Sequence, residues 1–248
     1  MSSFGGLNTA LSGLLAHRRA LDVIGHNVAN ASTDGYSRQR VELTSIAAST
    51  VPGVFSRTEG EGGGVTVAGV TRIRDEFLES RALREHGEQG RQDVEAATLA
   101  RIEQLVPEPS DTGLAAQLAD FWASWDDLAN NPGDDSVRTA LLEQASTVAS
   151  TLRRLSGSLT DSRDSGVEQL GATVTQVNTL TTSVAELNQR IASATSAGVD
   201  AHDLSDQRDR LVMQLGDLVG VQTRAGENGA VDVFLGGSAL VRGARGDR

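Results

Sequence analysis

The stretch from Ser136 to Ser196 constrains the fold more than any other feature. Val148, Leu152, Leu155 and Leu159 form one apolar set. Leu170, Val174, Val177, Val184, Leu187 and Ile191 continue at near-heptad spacing. A stripe sustained over that length predicts a long helix with a narrow apolar face that needs a partner. Gly157, Gly166 and Gly171 leave room for a kink near its middle, and Ala197-Gly198 ends it. The composition agrees. The chain has 248 residues, 38% of them hydrophobic and only 3% aromatic. A core of Ala, Val and Leu suits thin helices that bury narrow stripes better than a thick globule. The length allows one or two domains. The expected class is mainly α: an elongated long-helix bundle or coiled coil, with small β-hairpin elements and the start of a β-rich domain at the C-terminus.

A second stripe opens the chain. Leu7, Leu11, Leu14, Leu21 and Val28 follow a 4-3 spacing, with Arg18 and Gly25 at the skipped positions and Val23 and Ile24 widening the face. A single-stripe helix is marginal alone in water, so residues 1–35 are expected to be disordered or loosely helical without a partner. Ala10, Ser12, Gly13, Ala16 and Ala20 are small enough to let another helix approach. Asn30 to Tyr36 has turn composition. Residues 39–46 alternate polar and apolar as an extended segment does. Pro52-Gly53 and Glu59 to Gly64 read as turns, and Val54-Phe55 and Val65 to Val70 as hairpin strands.

The helical period returns at Asp75 and stops at Pro107 and Pro109. Asp111 suits the N-cap of the next helix, which carries both tryptophans, Trp122 and Trp125, and reads as a core helix. After Ser196, Asp203 with Asp206 resembles a cap followed by an N3 acid, opening a short helix from Leu204 to about Leu215. Residues 219–223, 231–235 and 239–241 read as strands around a Glu227-Asn228-Gly229 turn. The expected divisions are 1–35 (heptad helix and turn), 36–74 (extended segment and hairpin), 75–218 (helical bundle) and 219–248 (the β-rich start).

The chemistry is sparse. The net charge is −11, which disfavours nucleic acid and anionic membrane surfaces. All 22 basic residues are Arg, so a Walker-type loop, a Schiff base and a lysine base are excluded. Without Cys there are no disulfides or thiolate sites. The N-terminus lacks the basic n-region and the uninterrupted apolar run of a cleaved signal peptide. His17, His26, His86 and His202 lack metal spacing and read as surface or loop residues. Asp200, Asp203, Asp206 and Asp209 recur every three residues and read as capping plus a solvated helix face, not as a Ca²⁺ loop. The Gly60 to Gly64 run lacks the strand and helix context of a phosphate loop. No catalytic, cofactor-binding or metal-binding constellation emerges, so a structural role is expected and an embedded hydrolase is only a remote alternative.

Several longer motifs remain. They are Ala10-Leu11-Ser12-Gly13-Leu14, Ala20-Leu21-Asp22-Val23-Ile24-Gly25-His26-Asn27-Val28-Ala29-Asn30 and Asp34-Gly35-Tyr36-Ser37-Arg38-Gln39. Together they resemble the N-terminal signature of the flagellar rod, hook and hook-associated protein family. Asn27, Asn30, Thr33, Gly35 and Tyr36 match its turn position by position. The residues from Gly63 to Asp75 resemble the hairpin of the hook-associated branch, and Asp203-Leu204-Ser205-Asp206-Gln207-Arg208-Asp209-Arg210-Leu211-Val212 resembles its Asp-Gln-Arg-Asp segment.

The resemblance implies a structural subunit of the bacterial flagellum at the hook-filament junction, with a hook or distal-rod subunit as the alternative. It implies an inner-tube helix whose interface is Leu7, Leu11, Leu14, Leu21, Ile24 and Val28. It implies self-association in a ring, contacts with hook protein and a second hook-associated junction protein, a flagellar export chaperone, and type III export to an extracellular flagellum. It implies no cofactor, nucleic acid or membrane partner. Family members return to a long C-terminal helix that pairs with the first; none follows here, and the expectation is a fragment or a truncated form.

Overall fold

The computed structural model describes residues 3–47 and 62–246. The expected Pro52-Gly53 and Glu59 to Glu61 turns and the Val54-Phe55 strand lie outside the described residues. The protein is mainly α with small antiparallel sheets. The helices are α1 (Ser3–Ala29), α2 (Glu76–Leu105), α3 (Leu114–Asn130), α4 (Asp135–Ser196) and α5 (His202–Val219). The strands are β1 (Gln39–Ser45), β2 (Val65–Arg72), β3 (Gln222–Ala225), β4 (Val231–Leu235), β5 (Ser238–Arg242) and β6 (Arg245–Gly246). Two compact units result, one of residues 1–86 with 179–248, the other of residues 87–178.

In the first unit, β1 and β2 pair antiparallel from Gln39 opposite Arg72 to Ser45 opposite Val65, with a register shift between Glu42 and Leu43. The ribbon packs on α1, which runs as one 27-residue helix. The expectation of disorder gives way because the ribbon supplies the partner that a lone helix lacks. Asp75 caps α2 by accepting from the backbone N–H groups of Phe77 and Leu78 at 3.0 and 3.1 Å. A second sheet, in the order β3-β4-β5-β6, lies against the C-terminal part of α4. Fully buried side chains of this unit are Val233 and Val241 of the sheet, Val184 of α4, Leu215 of α5 and Val221 just before β3.

Asn188 of α4 pins that sheet. It is 0% exposed. Its amide donates to the carbonyls of Val231 and Gly243, both at 2.8 Å, and its Oδ1 accepts from the Val231 N–H at 3.1 Å. A buried amide keeps its place only when its groups are paired, as these are.

The expected α4 is present without a break, 62 residues across all three glycines, and residues 135–178 of it belong to the second unit. Two expectations need correction. The backbone N–H of Ala115 is met by Glu108 Oε1 at 3.0 Å, and the N-cap position of α3 is Gly113. Asp111 is therefore not the cap. Nor are the tryptophans core: Trp122 is 60% and Trp125 52% exposed. The face of α3 that packs is a neighbouring one, with Leu114, Phe121 and Leu128 partly covered. Leu141 and Val148 of α4 are buried, but Leu152, Leu159, Val167, Leu170 and Val174 are exposed.

Candidate functional site: an assembly helix and its polar lock

The helical period divides α1 into two faces. Ser12, Ala16, Val23 and Asn27 fall within about one quarter of the helix circumference, at about 100° per residue. Ala16 and Val23 are buried. Ser12 Oγ donates to the Thr9 carbonyl at 2.8 Å and accepts from the Val65 N–H at 3.1 Å, tying the helix to β2. Gly64 makes this approach possible. It holds φ +103°, and a Cβ there would sit 2.1 Å from Ser12 Oγ. Ser12 thus meets a β-ribbon of the same chain, while Gly13 faces open space and Ala10 is exposed. Small size specifies a close approach, not the kind of partner. Leu7, Leu11, Leu14, Leu21, Ile24 and Val28 lie on the opposite face, between 50% and 72% exposed. All six expected interface residues therefore share one open face.

The five signature residues come together at the end of α1. Asn27 Nδ2 donates to the Gln39 carbonyl, while Asn27 Oδ1 accepts from the Gln39 N–H and the Tyr36 hydroxyl, each at 2.8 Å. Since that hydroxyl spends its one proton on Asn27, His26 Nδ1, 2.9 Å away, is the donor to it. Asn30 Nδ2 donates to the His26 carbonyl at 3.0 Å, and the Thr33 hydroxyl donates to Asn30 Oδ1 at 3.3 Å. Gly35 adopts φ +70°, with the Arg210 side chain lying over it; a Cβ there would sit 2.3 Å from Arg210 Cγ.

Beyond the turn lies a network in which arginines and carboxylates balance, three against three. Asp206, 4% exposed, accepts from the Ser37 N–H at 3.0 Å and from Arg72 Nη1 at 2.8 Å. Asp209 accepts from Arg72 Nη1 at 2.8 Å, from Arg208 at 2.9 and 3.0 Å, and from Arg74. Arg74 also pairs with Glu79. Arg208 is 4% exposed and donates to the Gly229 carbonyl at 2.6 Å, linking the network to the turn before β4. Burial, then repulsion from Arg72 and Arg74, pushes its pKa down to about 10, far enough above neutrality to leave it a cation. Burial, then the Asp206 and Asp203 carboxylates, raises the Tyr36 phenol above its ordinary value.

Two of the four aspartates expected on a solvated face are therefore lock components. Nor does Asp203 cap α5, whose N-cap is Ala201 with no side-chain cap bond. Two spacings agree with the lock without singling it out. Arg72 and Arg74 are two apart at a strand end and share one side. Asp206 and Asp209 are three apart on a helix and share one face. Among the described residues no group of three or more His, Cys, Asp or Glu could hold a metal ion, and no helix is long and apolar enough to cross a membrane. The arrangement ties the turn after α1 and the end of β2 to α5.

Comparison with known proteins gives the same picture. Residues 99–247 match the helical domain of the flagellar hook-associated protein FlgK, and residues 7–36 match the flagella basal body rod protein family. The chain is 36% identical over 232 residues to flagellar hook-associated protein 1 of Bacillus subtilis, covering 92% of this chain and 45% of that protein. It is 29% identical over 245 residues to the Escherichia coli protein of the same name, covering 96% of this chain and 43% of that one. The hook junction protein FlgK of Burkholderia pseudomallei matches with TM-score 0.55 and 32% identity, over 69% of this chain and 30% of that structure. The chain spans less than half the length of these relatives.

Proposed function

The chain belongs to the family of the flagellar hook-associated protein FlgK, and from that premise we propose that it is a structural subunit of the bacterial flagellum at the hook-filament junction. The observation that carries the assembly role is the division of α1. One face is locked to the ribbon, and the opposite face keeps six large apolar side chains in water. Leaving such a stripe open is costly unless a partner covers it, at about 25 cal/mol per Å² of apolar surface. In this reading α1 packs between neighbouring copies in a ring, and the lock sets the direction in which it leaves the body of the subunit. The ring meets hook protein on one side and a second hook-associated protein on the other. The subunit reaches that extracellular position with an export chaperone, through the flagellar type III route.

The test is Leu14→Asp with Leu21→Asp in the native cell. Both side chains are exposed, so the subunit is expected to fold and be exported while junction assembly and filament growth fail. Normal filaments in that strain would overturn the assignment of the stripe.

A further inference from the structure

The turn before β4 is built on Asn228-Gly229, the only Asn-Gly pair in the chain. Asn228 sits in the left-handed region, at φ 52° and ψ 36°, which is uncommon for a residue with a side chain. Both residues are exposed, yet their backbone is held. The Gly229 carbonyl accepts from Arg208 Nη1 at 2.6 Å, which ties the turn to the polar lock. A Cβ on Gly229 would sit 3.2 Å from Ile191 Cγ2, so the turn also rests on α4.

We propose that Asn228-Gly229 is a self-modification site that folding switches off, and that its isoaspartate product cannot close the lock. The Gly229 nitrogen attacks Cγ of Asn228. A C–N bond forms there, the C–N bond to the side-chain amide breaks, and the amide leaves as ammonia with the Gly229 proton. No Cβ shields that attacking nitrogen. Water then opens the cyclic imide at either carbonyl, with no change of oxidation state. Opening at Cγ gives aspartate. Opening at the main-chain carbonyl gives isoaspartate, in which the chain runs through Cβ and Cγ.

Attack needs the reacting atoms about 3–3.5 Å apart. At ψ 36° the Asn228 Cβ stands nearly anti to the Gly229 nitrogen about the Cα–C bond, so no side-chain rotation brings Cγ to it. The bond from Arg208 and the contact with Ile191 hold that geometry. The folded turn therefore reacts only when it opens, whereas the unfolded chain has no such restraint. Isoaspartate adds one main-chain carbon, about 1.5 Å of backbone. A 2.6 Å bond does not survive a shift of that size, and Arg208, 4% exposed, loses its carbonyl. Aspartate keeps the native backbone length. The pair thus limits how long the chain can stay unfolded and still close its lock, whatever the assignment of α1.

The test ages the full chain at mildly alkaline pH, folded in one sample and unfolded in urea in the other. Cleavage at Arg releases residues 225–242 as one peptide, and chromatography with mass spectrometry separates its asparagine, aspartate and isoaspartate forms. The folded sample is expected to react at least about tenfold more slowly. The aged unfolded chains are then diluted to urea just below the midpoint of the unmodified protein, and a brief protease pulse removes those that stay unfolded. Among the survivors, the ratio of isoaspartate to aspartate is expected to fall at least about tenfold. The two products share mass and charge, so only backbone length separates them. Equal rates in the two samples overturn the proposal, and so does an isomer ratio that the pulse leaves unchanged.

Discussion

Replacing Asp206 by Ala removes the contact between the signature turn and α5. The side chain is buried and accepts from a backbone N–H and from a guanidinium. Hydrogen bonds involving a charged group contribute about 1.5–3 kcal/mol each, and breaking a buried ion pair costs about 3–5 kcal/mol. Arg72 keeps Asp209, so its charge is not orphaned and the cost falls at the lower end. The expected loss is about 3 kcal/mol, or roughly a hundredfold in the equilibrium between closed and open forms. Native-state hydrogen exchange reads this directly. Amides of β1, β2 and the second half of α1 should lose about a hundredfold in protection. Those of residues 141–170, in the other compact unit, should stay within about twofold. A loss below about fivefold at the ribbon, or an equal loss in both units, would refute the lock as the element that holds the turn.

Two other perturbations read single residues. Tyr36 is the only tyrosine, so phenolate absorbance titrates this site alone. Its raised pKa means that the fold favours the neutral phenol: its contribution is fully present below about pH 10 and is lost as pH rises through the higher folded value. The titration midpoint should lie above that of the urea-unfolded chain, and Tyr36→Phe should flatten the alkaline stability loss; coincident midpoints would contradict the burial. Asn188→Ala removes three hydrogen bonds and leaves backbone groups of Val231 and Gly243 unpaired, for about 3 kcal/mol and a melting temperature lower by about 6–12 °C. A shift under about 3 °C would show that Asn188 does not pin the sheet.

Periodicity was enough to find the five α-helices and the strands β1, β2, β4 and β5, because 3.6- and 2-residue repeats are local signals, whereas β3 was placed about three residues early and the two-residue β6 was not read at all. The stripe of α4 was legible over its whole length, as were both strands of the ribbon. What faced what was not local. Ser37 and Asp206 are 169 residues apart in sequence, and no spacing within α5 distinguishes an aspartate that meets Ser37 and Arg72 from one that meets water. Composition misled at Trp122 and Trp125, because large aromatics predict burial while leaving the helix face that packs undetermined. Ser12 is small enough to admit a close neighbour, and residue size alone does not say that this neighbour is a ribbon strand of the same chain. Asn188 gave no sign at all. A polar residue in an apolar stripe reads as a defect until the strand ends it bonds are known.

The central claim is that the apolar face of α1 is buried between subunits in the assembled flagellum. A photoreactive residue in place of Leu14, illuminated in intact cells, tests it most directly, with sheared and purified flagella read by peptide mass spectrometry. The account predicts cross-links from position 14 to a second copy of the chain within the purified structure, and none from the exposed Arg40 on the ribbon to the same peptide. Chains recovered from flagella without any cross-link at position 14, or recovered only from the unassembled fraction, would contradict it.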